Sequence, residues 1–234
     1  MERVKIGKTM ENRNREILAF LRDLSNNNNR PWFVENKPRY EVARQLVLDQ
    51  TAWLIAKIGE FDPTVRYLEP KDCLFRIYRD VRFSPNKRPY KEHFGTYICM
   101  NGGHKSLLSG YYLHIQPEAS ALCGGIYCAD KDMLRNIRTA LDIDYDEFQR
   151  IEAADDYRQY FGKMFSDDVL KKMPQGFSPD SPAAEYLKFK TFFVQHSFTD
   201  DEVCAPDFLE RLLPMCRAMK PFNDFMNAAL TDNF

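Results

Sequence analysis

The sequence contains no long apolar run and no apolar leader. None of its stretches reaches the roughly 18–20 consecutive apolar residues that a transmembrane helix needs, so no membrane span is expected. The charged residues that follow Met1 leave no apolar core for a secretory signal peptide, and we therefore expect a cytoplasmic protein. In that compartment the six cysteines are expected to be reduced thiols, most of them in the hydrophobic core.

Motifs that identify common enzyme and metal sites are also missing. The four histidines show no paired spacing of the kind that brings two imidazoles onto one metal ion, and Cys123 and Cys128 would lie on opposite faces of a strand. The chain has no G-x-S-x-G motif, and its Gly102-Gly103 and Gly124-Gly125 pairs lack the pattern of a phosphate-binding loop. The sequence thus predicts no metal site, names no cofactor and leaves open whether the protein is an enzyme.

The chain does have enough apolar material for a sizeable core. Its 234 residues are 44% hydrophobic and 14% aromatic, and a single domain covering residues 1–234 is expected. The formal net charge of −1 argues against a protein whose whole surface binds nucleic acid, although it permits a local basic cleft.

Apolar periodicity predicts helices on both sides of a block of strands. Helical spacing occurs at residues 17–24, 31–33, 42–58 and 130–141. Strands are predicted at residues 73–83, 94–100, 111–116, 122–127 and 189–198. Because the connections within this block are short, the predicted fold is α+β, with N-terminal and C-terminal helices packed on an antiparallel sheet of about five strands. Thr199 and Glu202 match a capping box that opens the C-terminal helices, which Pro206, Pro214 and Pro221 are expected to divide into short pieces.

The most informative stretch is residues 73–91, which we call the basic segment. Its first half, residues 73–83, alternates apolar and polar side chains and predicts a strand with one face of each kind, interrupted only by Arg79. The segment holds six Lys or Arg residues and one Asp, a balance of +5 in a chain whose total is −1. Because one carboxylate cannot neutralise so many cations, the surplus predicts a place where an external anion binds.

Several motifs of this chain resemble a known family. They are N-N-R-P-W-F at residues 28–33, F-R-I-Y-R-D-V-R-F-S at 75–84, K-R-P-Y-K at 87–91, Y-Y-L-H-I at 111–115, G-G-I-Y at 124–127 and P-F at 221–222. Together they resemble a conserved hypothetical family of unknown function, and the resemblance covers nearly the whole chain. Since that family has no established activity, the resemblance implies no mechanism.

The candidate ligand site combines the basic segment with two residues of a later strand. Its residues are Arg76, Tyr78, Asp80, Arg82, Lys87, Tyr90, Lys91, Tyr112 and His114. The arginines and lysines would bind a phosphate or carboxylate group, Asp80 would orient the arginines, and Tyr112 or His114 would transfer protons. The predicted partner is a small anionic ligand or a nucleic-acid backbone.

Two other interpretations stay open at this point. In the first, Asp80 and the arginines form an internal ion-pair network that only supports the fold. In the second, the basic segment docks an acidic partner. One such partner is the segment of residues 142–168 in a second copy of the chain, which would make a homodimer. Those residues carry nine Asp or Glu against three Lys or Arg. If they fold across the basic segment of the same chain, they neutralise its cations in place of an external anion.

Overall fold

The structure is a computed structural model, and it describes residues 2–164, 166 and 168–231, with side chains from residue 13 onward. The longer helices are α1 (Glu2–Asn26), α2 (Arg30–Glu35), α3 (Lys37–Ile58), α5 (Lys131–Ile143), α6 (Tyr145–Ala153), α7 (Asp155–Tyr160) and α10 (Phe208–Thr231). Three single-turn helices are α4 (Pro70–Cys73), α8 (Ala184–Leu187) and α9 (Asp200–Cys204). The strands are β1 (Phe94–Ile98), β2 (Tyr111–Ile115), β3 (Ser120–Ile126) and β4 (Phe192–Phe198).

The four strands form one antiparallel sheet in the order β1-β2-β3-β4. This confirms a mixed helix and strand fold with an antiparallel sheet, but the prediction of about five strands is wrong by one. The strand predicted at residues 73–83 is replaced by the end of α4 and by isolated bridges that join Leu74 to Thr96 and Tyr78 to Tyr90.

Burial explains why residues 73–83 do not form a strand. The apolar positions that alternate along this stretch do not share one buried face, because Ile77 is 2% exposed and Phe83 is 94% exposed. Backbone hydrogen bonds occur at intervals, from the N–H of Phe75 to the carbonyl of Gly95, from the N–H of Arg79 to the carbonyl of Pro89 and from the N–H of Lys91 to the carbonyl of Ile77. The basic segment therefore folds as an irregular excursion that leaves β1 and returns to it.

The chain divides into two compact units. The first consists of the described parts of Met1–Ser106, Tyr112–Leu122 and Ser197–Leu213, and the second of those of Leu107–Tyr111, Cys123–His196 and Pro214–Phe234. In the first unit α1 packs against α3 and α9, and α3 also contacts β1 and α4. In the second unit α5 packs against α6 and α8, and α6 against α7, around buried rings of Phe148, Tyr157 and Tyr186.

Helix α10 corrects the prediction for two of the three C-terminal prolines, whereas Pro206 does lie in the break between α9 and α10. Pro214 and Pro221 both lie inside this helix, which runs through them without a break. A proline inside a helix removes one backbone hydrogen bond and costs about 3 kcal/mol. Leu212, two residues before Pro214, and Phe222, directly after Pro221, are fully buried, and burial of such side chains offsets that cost.

Most of the cysteines are buried, as their apolar surroundings in the sequence predict. In the described part of the chain the six cysteines form no disulfide, and four of them, Cys73, Cys99, Cys204 and Cys216, are buried, whereas Cys128 is exposed. Among the described helices, none combines the length and the apolarity that crossing a membrane requires.

Candidate functional site

Asn28 and Tyr90 join the N-terminal motif to the basic segment. The Asn28 side chain accepts a hydrogen bond from the Tyr90 N–H at 3.1 Å and donates one to the Tyr90 carbonyl at 3.0 Å. The Tyr90 ring stacks on Phe33 of α2, with 3.9 Å between ring centroids, and lies 5.5 Å from the ring of Tyr78. Tyr90 is 4% exposed and Tyr78 is 50% exposed, so of these two candidate residues only Tyr78 presents its ring to solvent.

The outer part of the segment, residues 79–88, is a largely exposed excursion that we call the distal loop. Here Arg82 donates two hydrogen bonds to Asp80, from Nε at 3.0 Å and from Nη2 at 2.6 Å. The hydrogen bonds from Arg82 lower the pKa of the Asp80 carboxyl, and the charge of Arg76 lowers it further. The Lys87 ammonium donates to the carbonyl of Val81 at 3.1 Å. Arg82 and Asp80 therefore satisfy each other, whereas Lys87 meets a neutral group.

The inner part of the segment brings together two cations, Arg76 and Lys91. Lys91 is half-buried, and its ammonium lies 5.0 Å from the centroid of the Phe75 ring. Burial lowers the pKa of Lys91, and the positive charge of Arg76 lowers it further. Within the described part of the chain, neither Lys91 nor Arg76 forms an ion pair.

Two histidines adjoin these cations. The rings of His93 and His114 have centroids 4.2 Å apart. The pKa of His93 is lowered to about 3, first by burial, then by His114 and by the charge of Lys91, while Glu92 opposes the shift. Burial also lowers the pKa of His114, again assisted by Lys91 and opposed by a hydrogen bond with Gln116. Both imidazoles are therefore predominantly neutral near pH 7.

Hydrogen bonds along β2 assign the tautomer of His114. Its Nε2 lies 3.0 Å from the Gln116 Oε1, which is an acceptor, so Nε2 carries the proton. Its Nδ1 lies 3.0 Å from the Tyr112 hydroxyl and accepts a hydrogen bond from it. The result is a chain in which Tyr112 donates to His114 and His114 donates to Gln116. We call Arg76, Lys91, His93, Tyr112 and His114 together the Lys91 cluster.

Gly95 on β1 leaves room for the Tyr112 ring because it has no side chain. A Cβ at this position would lie 2.6 Å from the Tyr112 hydroxyl oxygen and 3.0 Å from its Cε2. We expect Gly95→Ala to displace the Tyr112 ring and to lower the free energy of unfolding by about 1–3 kcal/mol, the usual cost of overpacking. Urea denaturation of the purified variant measures this loss.

A double-mutant cycle with Tyr112→Phe tests the proposed cause of that loss. The Phe ring lacks the hydroxyl oxygen that comes closest to the new Cβ, so Gly95→Ala should be less destabilising in the Tyr112→Phe background. An equal cost of Gly95→Ala in both backgrounds would show that the Tyr112 hydroxyl is not the group with which the alanine collides, since phenylalanine keeps the ring carbons.

The structure separates the nine predicted site residues into three groups. Arg76, Lys91, Tyr112 and His114 converge in the Lys91 cluster, Asp80, Arg82 and Lys87 lie on the distal loop, and Tyr78 and Tyr90 pack with Phe33. Sequence reasoning missed His93, which was considered only as a metal ligand. Its position two residues after Lys91, just before β1, is the signal that could have found it.

Comparisons with known proteins assign the family. Among the described side chains, no group of three or more His, Cys, Asp or Glu residues is arranged to hold a metal ion. Searches of curated proteins and of solved structures find no match. A family model described as conserved hypothetical protein (DUF2461) matches residues 16–225, which include the whole basic segment and the strands that carry Tyr112 and His114. The chain therefore belongs to the DUF2461 family of conserved hypothetical proteins.

Proposed function

We propose that this protein binds a small anionic ligand, with a phosphate or carboxylate group, at the Lys91 cluster. The observation that carries the proposal is the convergence of Arg76 and Lys91, neither of which forms an ion pair among the described residues. The charge of Arg76 contributes to the lowered pKa of Lys91, so the two cations repel each other in the free protein, and an anion between them would relieve that repulsion.

The remaining groups of the cluster suit an anion as well. His114 and His93 are neutral near pH 7 and become cations when protonated, so neither form repels an anion. Protonation of either histidine would add a third cation to the site. The Tyr112–His114–Gln116 chain is the route by which a proton could reach a bound ligand, although the proposal concerns binding and assigns no reaction.

The internal ion-pair interpretation applies best to other cations of the segment. Arg82 pairs with Asp80, and Arg88 pairs with Glu92 at 2.5 Å. Glu92 also accepts a hydrogen bond from Asn28 at 3.0 Å, which ties this pair to the chain that follows α1. We assign these two pairs to supporting the segment, and Arg76 and Lys91 to the ligand.

Removing the Lys91 charge should weaken anion binding by about 10- to 100-fold, because a hydrogen bond to a charged group contributes roughly 1.5–3 kcal/mol. Lys91→Met keeps an apolar chain over the Phe75 ring, so the fold should tolerate it. Calorimetric titration with inorganic phosphate, pyrophosphate and citrate measures the affinity, and Arg76→Gln should weaken the same ligands.

Lys71→Met is the matched control for this experiment. It removes the same charge from an exposed lysine of α4, outside the Lys91 cluster and the distal loop, and it should leave the affinity within about twofold because solvent screens exposed charges. Equal losses in the two lysine variants, or no binding of any of the three anions by the parent protein, would refute the proposed site.

A further inference from the structure

The distal loop presents an aromatic ring to solvent. Phe83 is 94% exposed, and the guanidinium carbon of Arg82 lies 5.8 Å from the centre of its ring. Single exposed apolar side chains are common on protein surfaces and need no explanation by themselves. This one differs because it stands beside an arginine on a loop with a surplus of positive charge.

The charges around Phe83 are only partly compensated. The Arg79 guanidinium donates to the Arg88 carbonyl at 3.2 Å and to the Ser84 hydroxyl at 3.4 Å, and the Lys87 ammonium donates to the Val81 carbonyl. Among the described residues neither cation meets a carboxylate. One short loop thus presents a flat ring, a contact of that ring with an arginine, and two cations that meet no carboxylate among the described residues.

We propose that the distal loop binds single-stranded nucleic acid, with a base stacked on Phe83 and the phosphate backbone held by Arg79 and Lys87. Aromatic stacking combined with a positively charged track is how proteins bind unpaired strands without sequence readout. A duplex is a poorer partner, because its base faces are already stacked inside the helix. This inference goes beyond the proposed function, since it uses no residue of the Lys91 cluster.

The composition of the loop favours nucleic acid over a lipid surface. Phe83 is followed by Ser84, Pro85 and Asn86, and Arg82 precedes it, so no second large apolar residue stands next to it in the sequence. Membrane binding strengthens with the apolar area that enters the bilayer interface, and one ring provides little of it. Stacking on a base needs only one accessible aromatic face.

Fluorescence anisotropy with a labelled 12-nucleotide oligo(dT) tests the proposal. We expect binding whose affinity falls with salt, because each neutralised phosphate contributes about −0.7 to the slope of log K against log salt for a single strand. Phe83→Ala should weaken binding about 5- to 100-fold at an unchanged slope, whereas Lys87→Gln should make the slope shallower. Phe83→Trp should retain binding, and the emission of the new tryptophan should be quenched by the oligonucleotide.

Tyr67→Ala is the matched control, because Tyr67 is another strongly exposed aromatic residue of the first unit, 88% exposed, outside the distal loop. It should leave the affinity for oligo(dT) unchanged.

The proposal is overturned if the parent protein does not bind oligo(dT) at 50 mM salt, if Tyr67→Ala and Phe83→Ala weaken binding equally, or if a 12-base-pair duplex binds as tightly. Phe83-dependent binding to phosphatidylserine vesicles in place of oligo(dT) would instead identify a lipid surface. Phosphate binding at the Lys91 cluster should be the same in Phe83→Ala, so the two proposals fail separately.

Discussion

Replacing Gly125 with alanine should destabilise this protein by about 2–5 kcal/mol. Gly125 lies in β3 with a φ of 105°, a left-handed conformation that costs an L-residue about 1–2 kcal/mol. A Cβ there would lie 2.3 Å from the Phe192 carbonyl oxygen and 2.7 Å from the Phe193 Cα. These are backbone atoms of the neighbouring strand β4, which cannot rotate away, so we expect a further overpacking cost of about 1–3 kcal/mol.

Gly176→Ala separates the two contributions to that loss. Gly176 belongs to the same unit and has a φ of 93°, but a Cβ at its position would meet no atom within 4 Å. Urea denaturation should therefore show only the backbone cost of about 1–2 kcal/mol in this variant. If Gly125→Ala is no more destabilising than Gly176→Ala, the close approach of β3 to β4 does not constrain the sequence in the way we infer.

Acidification should destabilise the protein through His93, by about 2 kcal/mol between pH 7.5 and pH 5. The pKa of His93 is about 3 in the folded protein, against an ordinary value of 6.5. Between those values the unfolded chain binds a proton at His93 that the folded protein does not bind, so the free energy of unfolding falls as the pH falls. His114, whose folded pKa is also lowered, acts in the same direction.

The measurement is urea denaturation of the parent protein and of His93→Gln at both pH values. The variant should lose less stability on acidification, since Gln has no titrating group, and the difference isolates His93 from the carboxylates that titrate in both proteins. His196→Gln makes the same chemical change at a histidine whose Nδ1 lies 2.8 Å from the Tyr160 carbonyl, outside the pair. Acid sensitivity that is unchanged in His93→Gln would contradict the assignment of a buried, neutral His93.

Local capping signals indicated the starts of some helices, whereas the apolar spacing at residues 17–24 and 42–58 placed the starts of α1 and α3 too late in the chain. Thr199 and Glu202 form the predicted capping box at the start of α9, and the side chain of Asn29 caps α2, whose second residue is Pro31. Asp130 likewise accepts hydrogen bonds from the first N–H groups of α5. These features were predictable because each one depends on groups within four residues of one another.

The strands were predictable where one buried face is continuous. On β2 the residues alternate between buried and half-buried positions, which is the pattern that its sequence indicates. The basic segment shows the same alternation in sequence, yet its apolar residues are not buried on one side, because Phe83 projects into solvent. Whether an alternating stretch becomes a strand depends on a partner strand and a covering layer, and neither is encoded in the stretch itself.

What the sequence determined by itself is the family, the mixed helix and strand composition, the helix caps and the surplus of positive charge in residues 73–91. Only the tertiary structure decided which of those cations are neutralised. Arg82 is neutralised by a neighbour two residues away, whereas Lys91 and His93 meet His114 through the pairing of β1 with β2. The reason is physical: charge is a property of residues, but its compensation depends on distances that only the folded chain sets.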